Sequence, residues 1–168
     1  IVDFMLKGAT QVMTNKMTSD FYAALATKGS DTNELVKGIT FAKGSSLSYD
    51  VIVDAISELN IEDESKIFIV IPNKWKAALR KDNDYVSARQ GEVVYNGQVG
   101  TIAGIPVVAT KALTDKAYVM TNEAITLFLK KDVEVEQERD ADTRKNSIYL
   151  RDCYICALTD ATKACKIS

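Results

Sequence analysis

The sequence predicts an α+β fold in which a long helix and a long antiparallel β-hairpin flank a central region of mixed α and β structure. Three patterns support this prediction. Apolar residues recur every three or four positions over residues 1–28, a continuous β-branched and aromatic run occupies residues 67–71, and apolar residues alternate from residue 125 onward. With 168 residues and 46% hydrophobic composition, the chain is large enough to bury a core of its own.

The first half of the chain carries signals for two helices and a loop between them. The amphipathic pattern predicts one long helix over residues 1–28, closed by Gly29. Residues 30–46 mix Gly, Ser, Thr, Asn and Lys and are expected to form a loop with short turns. Ser48 lies three residues before Val51, which predicts that its side chain caps the start of a second helix.

The middle of the chain is predicted to form a buried strand, a helix and a hairpin. The run at residues 67–71 is typical of a strand covered on both faces, and Pro72 suits the first turn of the helix that follows. Asn96-Gly97 favours a tight turn between two short strands. A further strand is expected at residues 117–121.

The last third predicts an extended antiparallel hairpin. One strand runs from residue 125 to 139 and a second from 147 to 158, joined by a polar turn at residues 140–145. Both strands exceed the usual five or six residues. Because a ribbon of two strands is not stable alone, we expect it to lie on the long helix, on a neighbouring subunit, or on both.

Charge and hydropathy exclude several classes of protein. The net charge is −2 with both signs interspersed, so the basic surface that nucleic-acid binding requires is not expected. The sequence contains no apolar run of membrane-spanning length and no recognisable signal peptide, so we expect synthesis in the cytosol and no contact with a membrane.

The sequence offers little for catalysis or metal binding. It contains no histidine, which removes the commonest general base and most zinc sites. Cys153 and Cys156 could form a redox or metal pair, but residues three apart on a strand point to opposite faces. We therefore expect structural cysteines, no catalytic residue, no metal and no cofactor. A small redox or metal domain using Cys153 and Cys156 remains the alternative.

A row of carboxylates marks the first strand of the long hairpin. This acidic row comprises Asp132, Glu134, Glu136, Glu138 and Asp140, which alternation places on one face. Two interpretations remain open. The row is either a solvated face, or it meets Arg144, Lys145 and Arg151 of the partner strand or basic residues of another subunit.

Three segments resemble the major capsid proteins of tailed bacteriophages and prophages. They are residues 91–110 (GEVVYNGQVGTIAGIPVVAT), 117–122 (AYVMTN) and 135–146 (VEQERDADTRKN). The resemblance runs from about residue 47 to the end and implies the Hong Kong phage capsid fold, which encapsulins share. It implies a structural shell subunit, not an enzyme. An encapsulin-type nanocompartment shell protein is the alternative within the same fold.

The resemblance also implies a domain organisation. Residues 1–28 would form the spine helix of the peripheral domain, 29–128 the axial domain, 129–158 the long hairpin, and 159–168 a segment that returns to the axial domain. The family's N-terminal arm and extended loop precede the spine helix, so we expect this sequence to be a fragment that lacks both.

The implied partners are those of a capsid subunit. They are copies of the same protein in pentamers and hexamers, a scaffolding protein, a portal, and packaged DNA in non-specific contact. The implied location is the virion capsid after synthesis in the host cytoplasm. From its position in the family's hairpin, the acidic row implies lateral contacts between subunits. The candidate contact residues are Asp132, Glu134, Glu136, Glu138, Arg144 and Arg151.

Overall fold

The computed structural model describes residues 2–30, 33–41, 47–82 and 100–168. Within these ranges the chain forms three α-helices and eight β-strands. The helices are α1 (Val2–Ala24), α2 (Tyr49–Leu59) and α3 (Lys76–Lys81). The strands are β1 (Gly38–Ile39), β2 (Ile67–Pro72), β3 (Thr101–Ile102), β4 (Ile105–Thr110), β5 (Ala117–Thr121), β6 (Ile125–Asp140), β7 (Lys145–Leu158) and β8 (Ala164–Ile167).

Six strands form a mixed central sheet in the order β1-β8-β5-β2-β4-β3. β1 is parallel to β8 and β2 is parallel to β4, whereas the β8–β5, β5–β2 and β4–β3 pairs are antiparallel. All five residues of β5 are buried. The prediction that residues 67–71 form a strand covered on both faces is confirmed, since side chains of β2 alternate between two separate hydrophobic clusters.

Helices close the two faces of this sheet. On one face, buried side chains of α2 such as Ile52 and Leu59 pack with Ile69 and Val119. On the other face, Tyr118 and other sheet residues pack with Leu25 and the end of α1. The predicted cap of α2 is confirmed, because the Ser48 hydroxyl accepts a hydrogen bond from the Val51 amide at 3.5 Å.

The long helix ends earlier than the sequence suggests. α1 stops at Ala24, so its predicted extent over residues 1–28 and its closure by Gly29 are wrong. After Ala24 the amides of Leu25, Ala26 and Thr27 bond to carbonyls three residues back, and Leu25 is fully buried. The Gly29 amide instead donates to the Asn33 carbonyl at 2.8 Å, within a short antiparallel bridge between Lys28 and Glu34.

Two further boundaries differ from the predictions. The stretch predicted as loop contains β1, which the sequence did not reveal because its two residues pair only with β8, far away in the chain. Pro72 ends β2 instead of opening a helix, and a 3₁₀ turn, Asn73–Trp75, leads into α3. The hairpin predicted around Asn96-Gly97 lies outside the described residues, apart from its last residues at β3.

The chain's last strand lies inside the central sheet. β8 pairs with β5 on one side and β1 on the other, and the Ser168 amide donates to the Ile39 carbonyl at 3.1 Å. Residues 159–168 therefore return from the hairpin to the sheet.

The predicted long hairpin is present. β6 has 16 residues and β7 has 14, and they pair as a separate two-stranded sheet from Ile125 opposite Leu158 to Asp140 opposite Lys145. Two register shifts interrupt the pairing, one between Leu129 and Lys131 and the other between Lys131 and Glu134.

A three-residue ion cluster ties the segment before β1 to the sheet. The Glu34 carboxylate accepts hydrogen bonds from Lys116 Nζ at 2.5 Å and Lys166 Nζ at 2.9 Å, and only 19% of the Glu34 side chain is exposed. The hydrogen bonds from Lys116 and Lys166 lower the pKa of Glu34. The carboxylate therefore stabilises the fold in its charged form.

We predict that Glu34→Gln lowers the free energy of unfolding by about 1–2 kcal/mol, because two lysines lose a charged partner at a largely covered site. The folded pKa of Glu34 is depressed, so its stabilisation is complete above the unfolded pKa of about 4.3 and is lost as pH falls through the folded value. Urea unfolding between neutral pH and pH of about 3 should show that the variant loses part of this acid dependence.

The matched control is Glu123→Gln, which removes a more exposed carboxylate lying 3.8 Å from Lys163. It should change the free energy of unfolding by less than about 0.5 kcal/mol. Equal effects of the two substitutions would contradict a special role for Glu34.

Candidate subunit interface

The hairpin is anchored at its base and exposed over most of its length. Ile125 is buried, and the Thr159 amide donates to the Ala124 carbonyl at 2.8 Å. Every β6 residue beyond Leu127 is exposed except Glu134. The hairpin therefore projects from the central sheet and offers a large surface to other molecules.

Helix α1 supports the hairpin on one face. The Tyr154 hydroxyl of β7 donates to Asp20 Oδ2 of α1 at 2.9 Å, and Lys16 Nζ donates to Asp20 Oδ1 at 2.7 Å. Hydrogen bonds from Lys16 and Tyr154 lower the pKa of Asp20, and that bonded carboxylate raises the pKa of Tyr154 to about 12. We call the face that carries Tyr154 the inner face and the opposite one the outer face.

Strand pairing assigns the acidic row to the outer face. Directly opposed residues of an antiparallel pair project to the same side of the sheet. Arg151 lies three residues from Tyr154 on β7, so Arg151 and its partner Glu134 belong to the outer face. Glu136, Glu138 and Asp140 follow at alternate positions on the same side.

Asp132 is the member of the acidic row that departs from strict alternation. It lies within the register shift between Lys131 and Glu134, outside the paired positions. The extra residues of β6 in this stretch break the period of two on which the prediction of a single shared face relied. The structure therefore aligns four of the five carboxylates.

β7 places basic residues opposite only the first and last of the four aligned carboxylates. Glu134 lies opposite Arg151 and Asp140 opposite Lys145, whereas Glu136 and Glu138 lie opposite Tyr149 and Ser147. Glu134 also forms an ion pair with Lys131 at 2.9 Å. Basic residues of the same hairpin thus lie opposite the two ends of the aligned carboxylates, whereas none lies opposite the centre.

Arg144 lies apart from the acidic row, in the turn at the end of the hairpin. Its backbone is left-handed, with φ of 54°. It lines a cleft of about 320 Å³, which we call the tip cleft and which is formed by Arg139, Asp140, Ala141, Arg144 and Asn146. The sequence did not indicate Arg139 as a candidate, because its place opposite Asn146 follows only from the register.

Apolar side chains are also exposed on the outer face. Phe128 and Ile155 lie directly opposite each other and are 53% and 62% exposed. Tyr149 is exposed farther along the same face. Exposed apolar groups that cluster in this way are typical of surfaces that contact another protein. The sequence placed these residues in strands without revealing that their face is open.

The geometry does not support a redox or metal site at the paired cysteines. Cys153 lies on the outer face and is exposed, whereas Cys156 lies on the inner face, where burial raises the pKa of its thiol. Cys165 is buried in β8. Within the described ranges, no three Cys, Asp or Glu side chains are grouped as metal ligands. No helix in those ranges has the length and apolarity needed to cross a membrane.

Solved structures with the same fold come from phage-like and encapsulin particles. A chain from Mycobacterium phage Che8 aligns with a TM-score of 0.74 and 19% identity, covering 98% of this chain and 62% of that one. The capsid of an empty GTA particle aligns at 0.70 with 14% identity, covering 99% and 65%. The encapsulin of Synechococcus elongatus aligns at 0.68 with 11% identity, covering 99% and 65%.

At the sequence level, the similarity is to a phage protein. The major capsid protein of Staphylococcus phage phiMR11 is 29% identical over 119 residues, which cover 68% of this chain and 43% of that protein. The match thus spans less than half of the relative's length. No protein-family model matches the sequence.

These similarities confirm two predictions from the sequence. The fold class is that of phage capsid chains, and the resemblance to tailed-phage major capsid proteins recurs in an independent relative.

We predict that Asp20→Asn shifts the pKa of Tyr154 from about 12 toward the ordinary tyrosine value, because the carboxylate that stabilises the neutral phenol is removed. Alkaline titration followed by phenolate absorbance measures this shift. Tyr154→Phe removes this phenol and so identifies its part of the absorbance change. The same variant should lower the melting temperature, since α1 loses the hydrogen bond between Asp20 and the hairpin. Tyr149→Phe, at an exposed position, is the control and should leave both properties unchanged.

Proposed function

We propose that this chain is part of a major capsid protein that self-assembles into the icosahedral shell of a tailed phage or prophage around double-stranded DNA. The observation that carries the proposal is the agreement of two comparisons. The fold aligns over nearly the whole chain with capsid structures, and the sequence is 29% identical to a phage major capsid protein over 119 residues. The role is structural and not enzymatic.

The domain organisation follows from the same proposal. Residues 1–28 contribute the spine helix, which corresponds to α1 (Val2–Ala24). Residues 129–158 contribute the long hairpin of the peripheral domain, and 29–128 the axial domain. The central sheet supports the last assignment, because most of its strands come from that range. Residues 159–168 complete the axial domain, which agrees with the position of β8 beside β5.

The proposed partners are copies of the same protein, arranged as pentamers and hexamers in the virion capsid. Individually weak contacts suffice for such a shell, because each contact is repeated by symmetry and reinforced by its neighbours. A scaffolding protein and a portal are further proposed partners, packaged DNA touches the wall non-specifically, and synthesis takes place in the host cytoplasm.

The hairpin is the proposed lateral contact. It is exposed, is supported on its inner face by α1, and carries both charged and apolar side chains on its outer face. We retain Asp132, Glu134, Glu136, Glu138, Arg144 and Arg151 as candidate contacts between subunits. Because no basic residue lies opposite Glu136 and Glu138, we propose that basic residues of another subunit meet the centre of the acidic row.

An encapsulin-type nanocompartment shell is the second candidate. The similarity to the Synechococcus encapsulin, at a TM-score of 0.68, supports it because both kinds of particle use this fold. The sequence relative favours the capsid. Particles purified with packaged DNA, from a gene that neighbours portal and terminase genes, would support a phage capsid, whereas an enclosed enzyme would support an encapsulin.

We predict that the full-length gene product, expressed alone or with its neighbouring genes, forms closed shells or capsomer rings. Negative-stain electron microscopy and light scattering detect both. A gene product that stays monomeric under all these conditions would contradict a shell-forming role.

A further inference from the structure

Two sets of charges on the hairpin lack ion-pair partners among the described residues. In the described part of the chain, Glu136 and Glu138 form no ion pair, and their cross-strand neighbours Tyr149 and Ser147 carry no positive charge. Arg139 and Arg144, which line the tip cleft, also form no ion pair there. The first set is negative and the second is positive.

The tip cleft suits a carboxylate ligand. Two guanidinium groups and the Asn146 amide border it, and guanidinium binds carboxylate through two parallel hydrogen bonds. Asp140 also lines the cleft, but its carboxylate accepts hydrogen bonds from the Thr143 hydroxyl at 2.6 Å and the Asp142 amide at 2.9 Å. Asp140 is thus engaged in shaping the turn.

Arg139 and the two carboxylates lie on opposite faces of one ribbon. Arg139 pairs with Asn146 on the inner face, whereas Glu138 pairs with Ser147 on the outer face. Neighbouring residues of a strand project in opposite directions, so Arg139 is turned away from Glu136 and Glu138 of its own hairpin. A second molecule can present its carboxylates to the cleft without this restriction.

We infer that the tip cleft of one copy binds Glu136 and Glu138 of a second copy of this chain. The inference rests on the proposed function and specifies which surfaces meet. Charge complementarity supports it, since the unpaired guanidinium groups at the tip match the unpaired carboxylates at the centre of the acidic row.

This contact has a defined symmetry. It joins Arg139 and Arg144 of one hairpin to Glu136 and Glu138 of the next, so the two copies use different surfaces. A single contact of this kind is heterologous and leaves one free tip and one free acidic row in the pair, and each recruits a further copy. Repetition of the contact produces rings or larger assemblies, as a shell requires.

Charge reversal in the full-length gene product tests the inference. The tip variant is Arg139→Glu with Arg144→Glu, and the row variant is Glu136→Arg with Glu138→Arg. The matched control, Asp54→Arg with Glu62→Arg, changes the net charge as the row variant does but at exposed positions away from the hairpin. Thermal melting by circular dichroism verifies that each variant is folded, and sedimentation measures the assembled fraction.

We expect the tip variant and the row variant each to lower the assembled fraction by about tenfold or more, because like charges then meet. The control should assemble as the wild type does. The variant with all four reversals should recover assembly, because opposite charges meet again at every contact. An equimolar mixture of the tip and row variants should form mixed oligomers, because opposite charges meet wherever the two variants alternate. A general folding defect would not be rescued in this way.

Three outcomes would overturn the inference. If the wild type assembles and both reversed variants assemble equally well, the tip cleft and the acidic row do not meet, although the shell-forming role stands. The same conclusion follows if the fourfold variant and the mixture are folded but remain unassembled. A wild type that stays monomeric overturns the inference together with the proposed function.

Discussion

A two-stranded sheet cannot bury its own faces, and the rest of this structure depends on that constraint. The hairpin of β6 and β7 satisfies the backbone groups between its strands, but no third strand pairs with either edge among the described residues. Helix α1 covers part of the inner face and is held there by the bond between Asp20 and Tyr154. The outer face keeps Phe128 and Ile155 exposed. A surface of this size and character is typical of a chain that is completed by its neighbours.

The central sheet has the buried core that the hairpin lacks. β2 and β5 are buried on both faces between two hydrophobic clusters, and the end of α1 packs into one of them through Leu25. Since the chain enters the hairpin at Ile125 and returns to the sheet at β8, both strands of the hairpin are anchored to the sheet at its base. The tip, with its charged groups, projects away from this anchor.

Much of this architecture could be predicted from the sequence, because it depends on local patterns. The buried run at residues 67–71, the Ser48 cap and the alternation of the long hairpin are all readable over a few residues. Features that depend on distant partners could not be predicted. β1 exists only because β8 pairs with it, and α1 ends at Ala24 because residues after it form turns and a bridge to Glu34.

In the candidate site, too, local patterns could be predicted and features that depend on distant partners could not. Alternation was sufficient to place Glu134, Glu136 and Glu138 on one face, but the register shift that contains Asp132 left no sequence signal. The register was also needed to show which carboxylates face a cation. Asp20 and Tyr154 lie 134 positions apart, so their contact could not be recognised from spacing.

Hydrogen exchange measured by mass spectrometry, on unassembled subunits and on assembled particles of the full-length gene product, tests most directly whether the hairpin is the surface that neighbours complete. We predict slower exchange over residues 132–150 after assembly and little change in β2 and β5, which are buried already. Unchanged exchange across the hairpin in assembled particles, with new protection confined to other surfaces, would contradict it.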